Sequence, residues 1–188
     1  MTRLEQYINA NFGVTGEELS MIASLFEPEM IRKGEFYIKS GTTCNKLSFV
    51  QSGYLRLYAT LADKDITQWI FSKGYFMGDM SSFTFNIPSR WNIQALTDAT
   101  LFTIQKESYI NIVEKVPRWP EIEKHFLISC FSTMENRIFG HLSMSAEERY
   151  AAFYENNREL FNQVPLLYIA SMLGMTPETF SRIRKRQL

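Results

Sequence analysis

The spacing of apolar positions changes character twice along this chain, and the changes divide it into three parts. Residues 2–12 are weakly amphipathic and predict a helix. Thr15-Gly-Glu-Glu18 has the capping-box pattern and predicts a second helix through about Leu25. From 29 to 105 the pattern shortens to strand-like runs. They are punctuated by Lys33-Gly34, Ser40-Gly41, Ser52-Gly53, Ala62-Asp63-Lys64-Asp65, Lys73-Gly74, Pro88-Ser89 and Thr97-Asp98. Leu47/Phe49, Leu55/Leu57, Trp69/Phe71 and Leu101/Ile104 are the expected inward residues. Roughly seven or eight short strands at this spacing predict an antiparallel sandwich or barrel.

After Lys106 the period becomes helical. Residues 107–115 predict a short helix, broken by Pro117 and Pro120. Residues 121–142 predict a long one carrying Ile122, Phe126, Leu127, Cys130, Phe131, Met134, Ile138, Phe139 and Leu142. That set is wider than a single stripe, so one face is expected on the barrel and the other on a second copy of the chain. Ser143-Met-Ser-Ala-Glu-Glu148 reads as a helix end followed by a fresh N-cap. It places a hinge near 142–145 and a further helix over 145–160.

The most informative stretch is 166–186, which reads as two short helices around a tight turn. Ile169, Leu173, Phe180 and Ile183 are the apolar positions that crossed helices bury. Met175 plugs the turn, and Ala170 is small where the helices approach. Gly174 supplies a positive φ, Thr176 can cap the second helix, and Pro177 falls at its first position. Glu178, Ser181 and Arg182 stand at i, i+3 and i+4 and share one face. An arginine can pair with guanine O6 and N7, a glutamate can accept from cytosine N4, and a serine is permissive. These three are the candidate base readers. Thr176, Thr179, Arg184, Lys185 and Arg186 are the candidate phosphate contacts. A plain αα-hairpin explains the apolar set but not the basic side chains crowding the second helix.

Composition sharpens this picture. An apolar share of 45% with 15 Phe and 9 Tyr can build a substantial core, so disorder is not the default. Formal net charge is zero, yet the last thirteen residues hold four basic side chains against one acidic. Positive charge is therefore gathered at one end, as double-stranded DNA requires. Cys44 and Cys130 lie far apart without a CxxC pair, which argues against a disulfide scaffold, a zinc finger or a cysteine-held cluster. Both are expected as buried thiols in a reducing compartment. The N-terminus lacks a signal peptide's apolar run, and no stretch approaches the roughly 20 apolar residues of a membrane span. The expectation is a cytoplasmic protein with no membrane partner. His125 and His141 both fall on the long helix, too far apart to share a metal. No nucleophile–base set, Walker loop or Rossmann fingerprint is present. Neither an enzyme nor a metal site is expected.

With these residues in view, the chain resembles the Crp/Fnr family of bacterial transcription regulators. The resemblance covers nearly its whole length. Its most specific parts are Leu47-Ser-Phe-Val-Gln-Ser-Gly-Tyr-Leu-Arg-Leu57, Met144-Ser-Ala-Glu-Glu-Arg-Tyr150 and 169–183. It implies an α+β protein: an antiparallel β-roll of the jelly-roll type with flanking helices, a long dimerisation helix, and a C-terminal helix-turn-helix. The implied divisions are a cyclic-nucleotide-binding-like sensor at 1–115, the dimerisation helix at 116–143 and the DNA-binding part at 144–188. A homodimer on a palindromic operator with TTGA-like half-sites is implied, with RNA polymerase as a further partner.

Two departures from the family pattern matter. Cyclic-nucleotide binders of the family carry a Gly-Glu pair and then an arginine that clamps the cyclic phosphate. Here Gly78-Asp79 has the shorter acid, Ser89 stands where the clamp belongs, and Arg90 comes one residue late. One step along a strand turns a side chain to the other face. Gly78, Asp79, Ser89 and Arg90 are the candidate effector pocket, but no cofactor is expected: Gly78 and Asp79 read as a structural turn and Arg90 as a surface or interdomain charge. An effector, if any, is then an unknown small molecule rather than cyclic AMP. Family members also continue into a β-hairpin wing. Five residues follow Ile183, so no full wing is expected and Arg184, Lys185 and Arg186 substitute for part of it. The alternative is a ligand-sensing module with weak or no DNA binding.

Overall fold

The computed structural model describes residues 1–62 and 64–187; Asp63, inside the turn predicted at 62–65, lies outside the described residues. Two helices open the chain, α1 (Arg3–Phe12) and α2 (Gly16–Ala23). A capping box does form, but at Thr2 rather than at Thr15. The Thr2 hydroxyl accepts the Glu5 N–H, and the Glu5 carboxylate accepts the Thr2 N–H. Thr15 makes no side-chain cap because Gly16 has a φ of +65°, which turns the first backbone N–H groups away from its hydroxyl.

Eight strands lie among the described residues: β1 (Glu27–Ile31), β2 (Phe36–Ile38), β3 (Lys46–Ser52), β4 (Leu55–Leu61), β5 (Lys64–Phe71), β6 (Phe76–Met77), β7 (Asn92–Ala95) and β8 (Ala99–Gln105). They make two four-stranded sheets, ordered β1-β8-β3-β6 and β2-β7-β4-β5, with every pairing antiparallel. The antiparallel double sheet expected from the turn spacing is therefore present. Register alternation corrects one detail. Leu47 pairs with Ile104 and Val50 with Leu101, so Leu101 and Ile104 lie on opposite faces of the sheet. Both are fully buried because helices cover the outer face. There Phe49 meets the rings of Tyr7, Phe12, Phe26 and Phe76 at centroid distances of 4.7–6.2 Å. Burying one such ring contributes about 1.5–3 kcal/mol.

A short helix that the pattern missed, α3 (Met80–Phe85), sits between β6 and β7. The helix expected over 107–115 is split at Asn111 into α4 (Lys106–Ile110) and α5 (Ile112–Lys115). The long helix α6 (Trp119–Ser143) follows with Pro120 in its first turn. Its N-terminal half buries Trp119, Ile122 and Phe126 against the double sheet's helical cover; the Trp119 and Phe126 rings lie 5.1 and 4.5 Å from Phe12. The chain breaks at Met144, within the predicted hinge, and restarts as α7 (Ala146–Asn156) under a Ser145–Glu148 capping box. The helix expected to run to 160 ends earlier, and α8 (Leu160–Gln163) is separate. Two further helices, α9 (Leu166–Met172) and α10 (Pro177–Gln187), complete the fold.

The C-terminal helices have their own core of Tyr150, Leu160, Phe161, Val164, Ile169, Leu173, Phe180 and Ile183, and Ile70 of β5 joins it. No helix among the described residues is long and apolar enough to cross a membrane. Cys44 is buried and Cys130 half-buried, both as free thiols raised by burial above the ordinary thiol value.

Candidate functional site

The turn between α9 and α10 is built as the residue types dictate. Gly174 has a φ of +69°. Its N–H bonds to the Ser171 carbonyl and the Met175 N–H reaches back to Ala170, the paired bonds of a Schellman C-cap. Met175 is buried behind it. A Cβ at position 174 would lie 3.4 Å from the His141 ring, so the turn packs closely on α6. Thr176 then caps α10 by accepting the Thr179 N–H at 3.2 Å. Beneath α10, the Phe180 ring contacts Tyr150 at 5.2 Å and Phe161 at 6.0 Å.

That anchoring decides what α10 presents. Phe180 and Ile183 are buried, whereas Glu178, Ser181 and Arg182 are all exposed. Thr176, Lys185 and Arg186 are also exposed, while Thr179 and Arg184 are half-buried. The three candidate base readers thus share an open helical face, flanked by the candidate phosphate contacts. The Glu178 carboxyl is held below the ordinary carboxylate value. Its own backbone N–H contributes most, the Thr176 hydroxyl next, and Lys64 of β5 adds a favourable charge.

The four candidate effector-pocket residues are each engaged locally. Gly78 is needed for packing: a Cβ there would fall 2.3 Å from the Leu47 side chain. The Asp79 carboxylate caps α3, accepting the Ser81 and Ser82 N–H groups at 3.1 and 3.2 Å. Ser89 is buried, with its hydroxyl accepting the Trp91 N–H and donating to the Trp91 carbonyl. Arg90 is exposed, its guanidinium stacked 4.5 Å from the Trp91 ring. Between the two sheets, the hydroxyls of Tyr37, Ser48 and Thr103 form a buried chain with spacings of 2.9 and 2.7 Å. It ends at Glu29, which Lys46 neutralises. Burial pushes the Tyr37 phenol well above its ordinary value.

Sequence reasoning missed the contact that ties the C-terminal helices to the double sheet. Arg56 reads as the polar member of an alternating strand, yet it is only 2% exposed. Its guanidinium lies between the rings of Tyr58 and Tyr168, at 4.1 and 3.9 Å. Its Nε donates to Thr67 and its Nη1 to Asp65. Beside it, the Thr67 N–H donates to the Ser171 hydroxyl at 3.0 Å. From α6, Arg137 donates to the carbonyls of Gln68 and Met172. The sequence offers little signal for it: the register sets Arg56 opposite Ile70 and Gln94, while its partner Thr67 lies opposite Tyr58.

Against known proteins, residues 28–116 match the family model of the cyclic nucleotide-binding domain. No curated protein matches the chain. Among solved structures it resembles FixK2 from Bradyrhizobium japonicum, with a TM-score of 0.69 and 20% identity over 86% of this chain and 83% of that one. It also resembles a mutant of CooA from Carboxydothermus hydrogenoformans, with a TM-score of 0.66 and 23% identity over 98% and 84%. A cAMP-bound PfPKA-R chain matches at a TM-score of 0.54 and 20% identity, over 58% of this chain and 40% of that chain. The chain therefore spans less than half of this last relative and most of the first two. These likenesses establish the fold.

Proposed function

We propose that this protein is a sequence-specific DNA-binding transcriptional regulator of the Crp/Fnr type. It acts as a homodimer on a palindromic operator and does not answer to cyclic AMP. The observation that carries this reading is the open face of α10, where Glu178, Ser181 and Arg182 stand together over a closely packed turn. The candidate phosphate contacts Thr176, Thr179, Arg184, Lys185 and Arg186 surround them. In this reading residues 1–115 sense, 116–143 dimerise and 144–188 bind DNA in the cytoplasm, with RNA polymerase as a further partner and no catalysis.

Dimerisation is supported by the outer face of α6. Phe131, Ile138, Phe139 and Leu142 are 60–82% exposed there, and Leu127, Ile128 and Met134 extend the stripe. A contiguous apolar face of this kind is the signature of a protein contact. A two-fold pair of α6 helices sets two α10 helices at a fixed separation, the geometry of half-sites one turn apart. The reading without cyclic AMP is supported by Arg90, which stacks on Trp91, and by Ser89, whose hydroxyl is bound to the backbone.

Selection of random duplexes by the purified protein tests the proposal. The expected result is a two-fold symmetric motif whose affinity falls steeply as salt rises. Recovery of no motif would refute it. The second reading, a ligand-sensing module with weak or no DNA binding, is favoured by the docking of α9 on the second sheet, through Arg56 of β4 stacked on Tyr168 and Thr67 of β5 bonded to Ser171. Ligand binding by a protein that selects no motif would promote it.

A further inference from the structure

A cleft of about 1130 Å³ opens between the second sheet, α6 and α7. We propose that it binds a small organic anion carrying a flat ring. The cleft is separate from the α3 region where the candidate effector residues lie, and nothing in the DNA reading uses it.

The composition of α6 points to this role. On its inner face Ile122, Phe126 and Cys130 pack into the core. Further along the same face the residues become Thr133, Arg137, Gly140 and His141, all lining the cleft. A helix burying that face in a dry core would not carry an arginine and a glycine there. The exposed apolar stripe runs along the opposite side, so a second copy docked on the stripe leaves the cleft open.

Charge selects the ligand. Arg137 and Arg149 both line the cleft, and both donate only to main-chain carbonyls: Gln68 and Met172 for the first, Leu173 and Met144 for the second. Among the described residues, the ion pairs are Lys46–Glu29, Arg56–Asp65 and Arg118–Glu18. Among the described residues neither cleft arginine has a carboxylate partner, although Glu155 and Glu159 also line the space. Neutral carbonyls orient these guanidiniums without cancelling their charge, and burial pulls the Arg137 value down. An anion entering the cleft offsets that cost. The flat ring is selected by Trp69, whose ring lies 4.9 Å from the Arg137 guanidinium, and by Tyr54 and Phe153 in the same wall. The cleft joins the second sheet, α6 and α7, so a bound ligand bears on the relative placement of all three.

Calorimetry on the full chain tests this with AMP, salicylate, adenosine and inorganic phosphate. AMP and salicylate distinguish a phosphate from a carboxylate source, while adenosine and phosphate each lack one half of the proposed ligand. At least one ring-bearing anion is expected to bind about tenfold or more tightly than either half. Arg137→Met is expected to weaken that binding by about tenfold or more. Trp69→Leu, which keeps both guanidiniums and so decides the matter should Arg137→Met not fold, is expected to weaken it as well. Arg90→Met is expected to leave it unchanged. Absence of heat with both AMP and salicylate overturns the proposal. So does binding that Trp69→Leu leaves intact, or that Arg90→Met abolishes. The measurement contains no DNA, so its failure is distinct from failure of the DNA-binding reading.

Discussion

The stack of Arg56 on Tyr168 can be measured directly, because it spans the double sheet and the C-terminal helices. Removing Arg56 alone mixes several effects. The charged hydrogen bond to Thr67 at 2.9 Å is lost, a contribution of about 1.5–3 kcal/mol. The ion pair with Asp65, whose side chain is 41% exposed, contributes only about 0–1 kcal/mol. Against these losses, a buried cation no longer has to be desolvated. A double-mutant cycle with Arg56→Met and Tyr168→Leu cancels the terms that do not involve both residues. What remains is the stack itself, at 3.9 Å and nearly shielded from solvent, for which about 1 kcal/mol of coupling is expected. Urea denaturation of the four proteins, followed by circular dichroism, reads this quantity. A coupling of that size corresponds to a Tm difference of about 2–4 °C. A coupling energy indistinguishable from zero would show that Tyr168 of α9 does not rest on Arg56 of β4 in solution.

The remaining predictions concern association, caps and the turn. Phe131→Glu with Leu142→Glu is expected to convert a dimer to a monomer in sedimentation equilibrium, since these side chains are 66% and 82% exposed on the proposed contact; an unchanged mass would refute that contact. Gly174→Ala is expected to destabilise by about 1 kcal/mol or more from the left-handed φ of +69°, read as a lower urea midpoint; an unchanged midpoint contradicts the turn geometry. The Glu5 and Glu148 carboxylates are held below their ordinary value of 4.5, chiefly by the backbone N–H groups of Thr2 and Ser145. Their stabilising contribution is therefore complete above that value and is lost as pH falls through the lowered ones. Glu5→Ala with Glu148→Ala should flatten the acid limb of a stability–pH curve, and an unaltered limb counts against the two capping boxes.

The legible parts of this fold were those enforced by local chemistry. Gly174, Thr176 and Pro177 each have a narrow conformational role, and together they mark the turn found between α9 and α10, with its left-handed glycine and its threonine cap. The Ser145–Glu148 capping box and the hinge before it were legible for the same reason. The strand-rich middle was readable from its glycine-marked turns. The faces within it were less so, because the first sheet is covered on both sides and buries both alternating sets, as Leu101 and Ile104 illustrate. Helix α3 escaped because six residues are too few to display a period; its one cue was Asp79, read as a turn residue and found as an N-cap. Arg56 was invisible for a different reason. Its strand position is ordinary, and only the arrival of Tyr168, far along the chain, turns a surface arginine into a buried one. The exposed face of Glu178, Ser181 and Arg182 was legible from helical spacing, whereas the cleft walled by Trp69, Arg137 and Arg149 depends on elements that meet only in the folded chain.

In the proposed function α10 reads base edges. Fluorescence anisotropy with the selected duplex and with duplexes changed at single positions, for wild type and Arg182→Ala, tests it most directly. Wild type is expected to discriminate by about 1–3 kcal/mol at the position facing Arg182, and the variant to lose that discrimination while still rejecting changes elsewhere. Identical preferences in the two proteins at every position would contradict the claim.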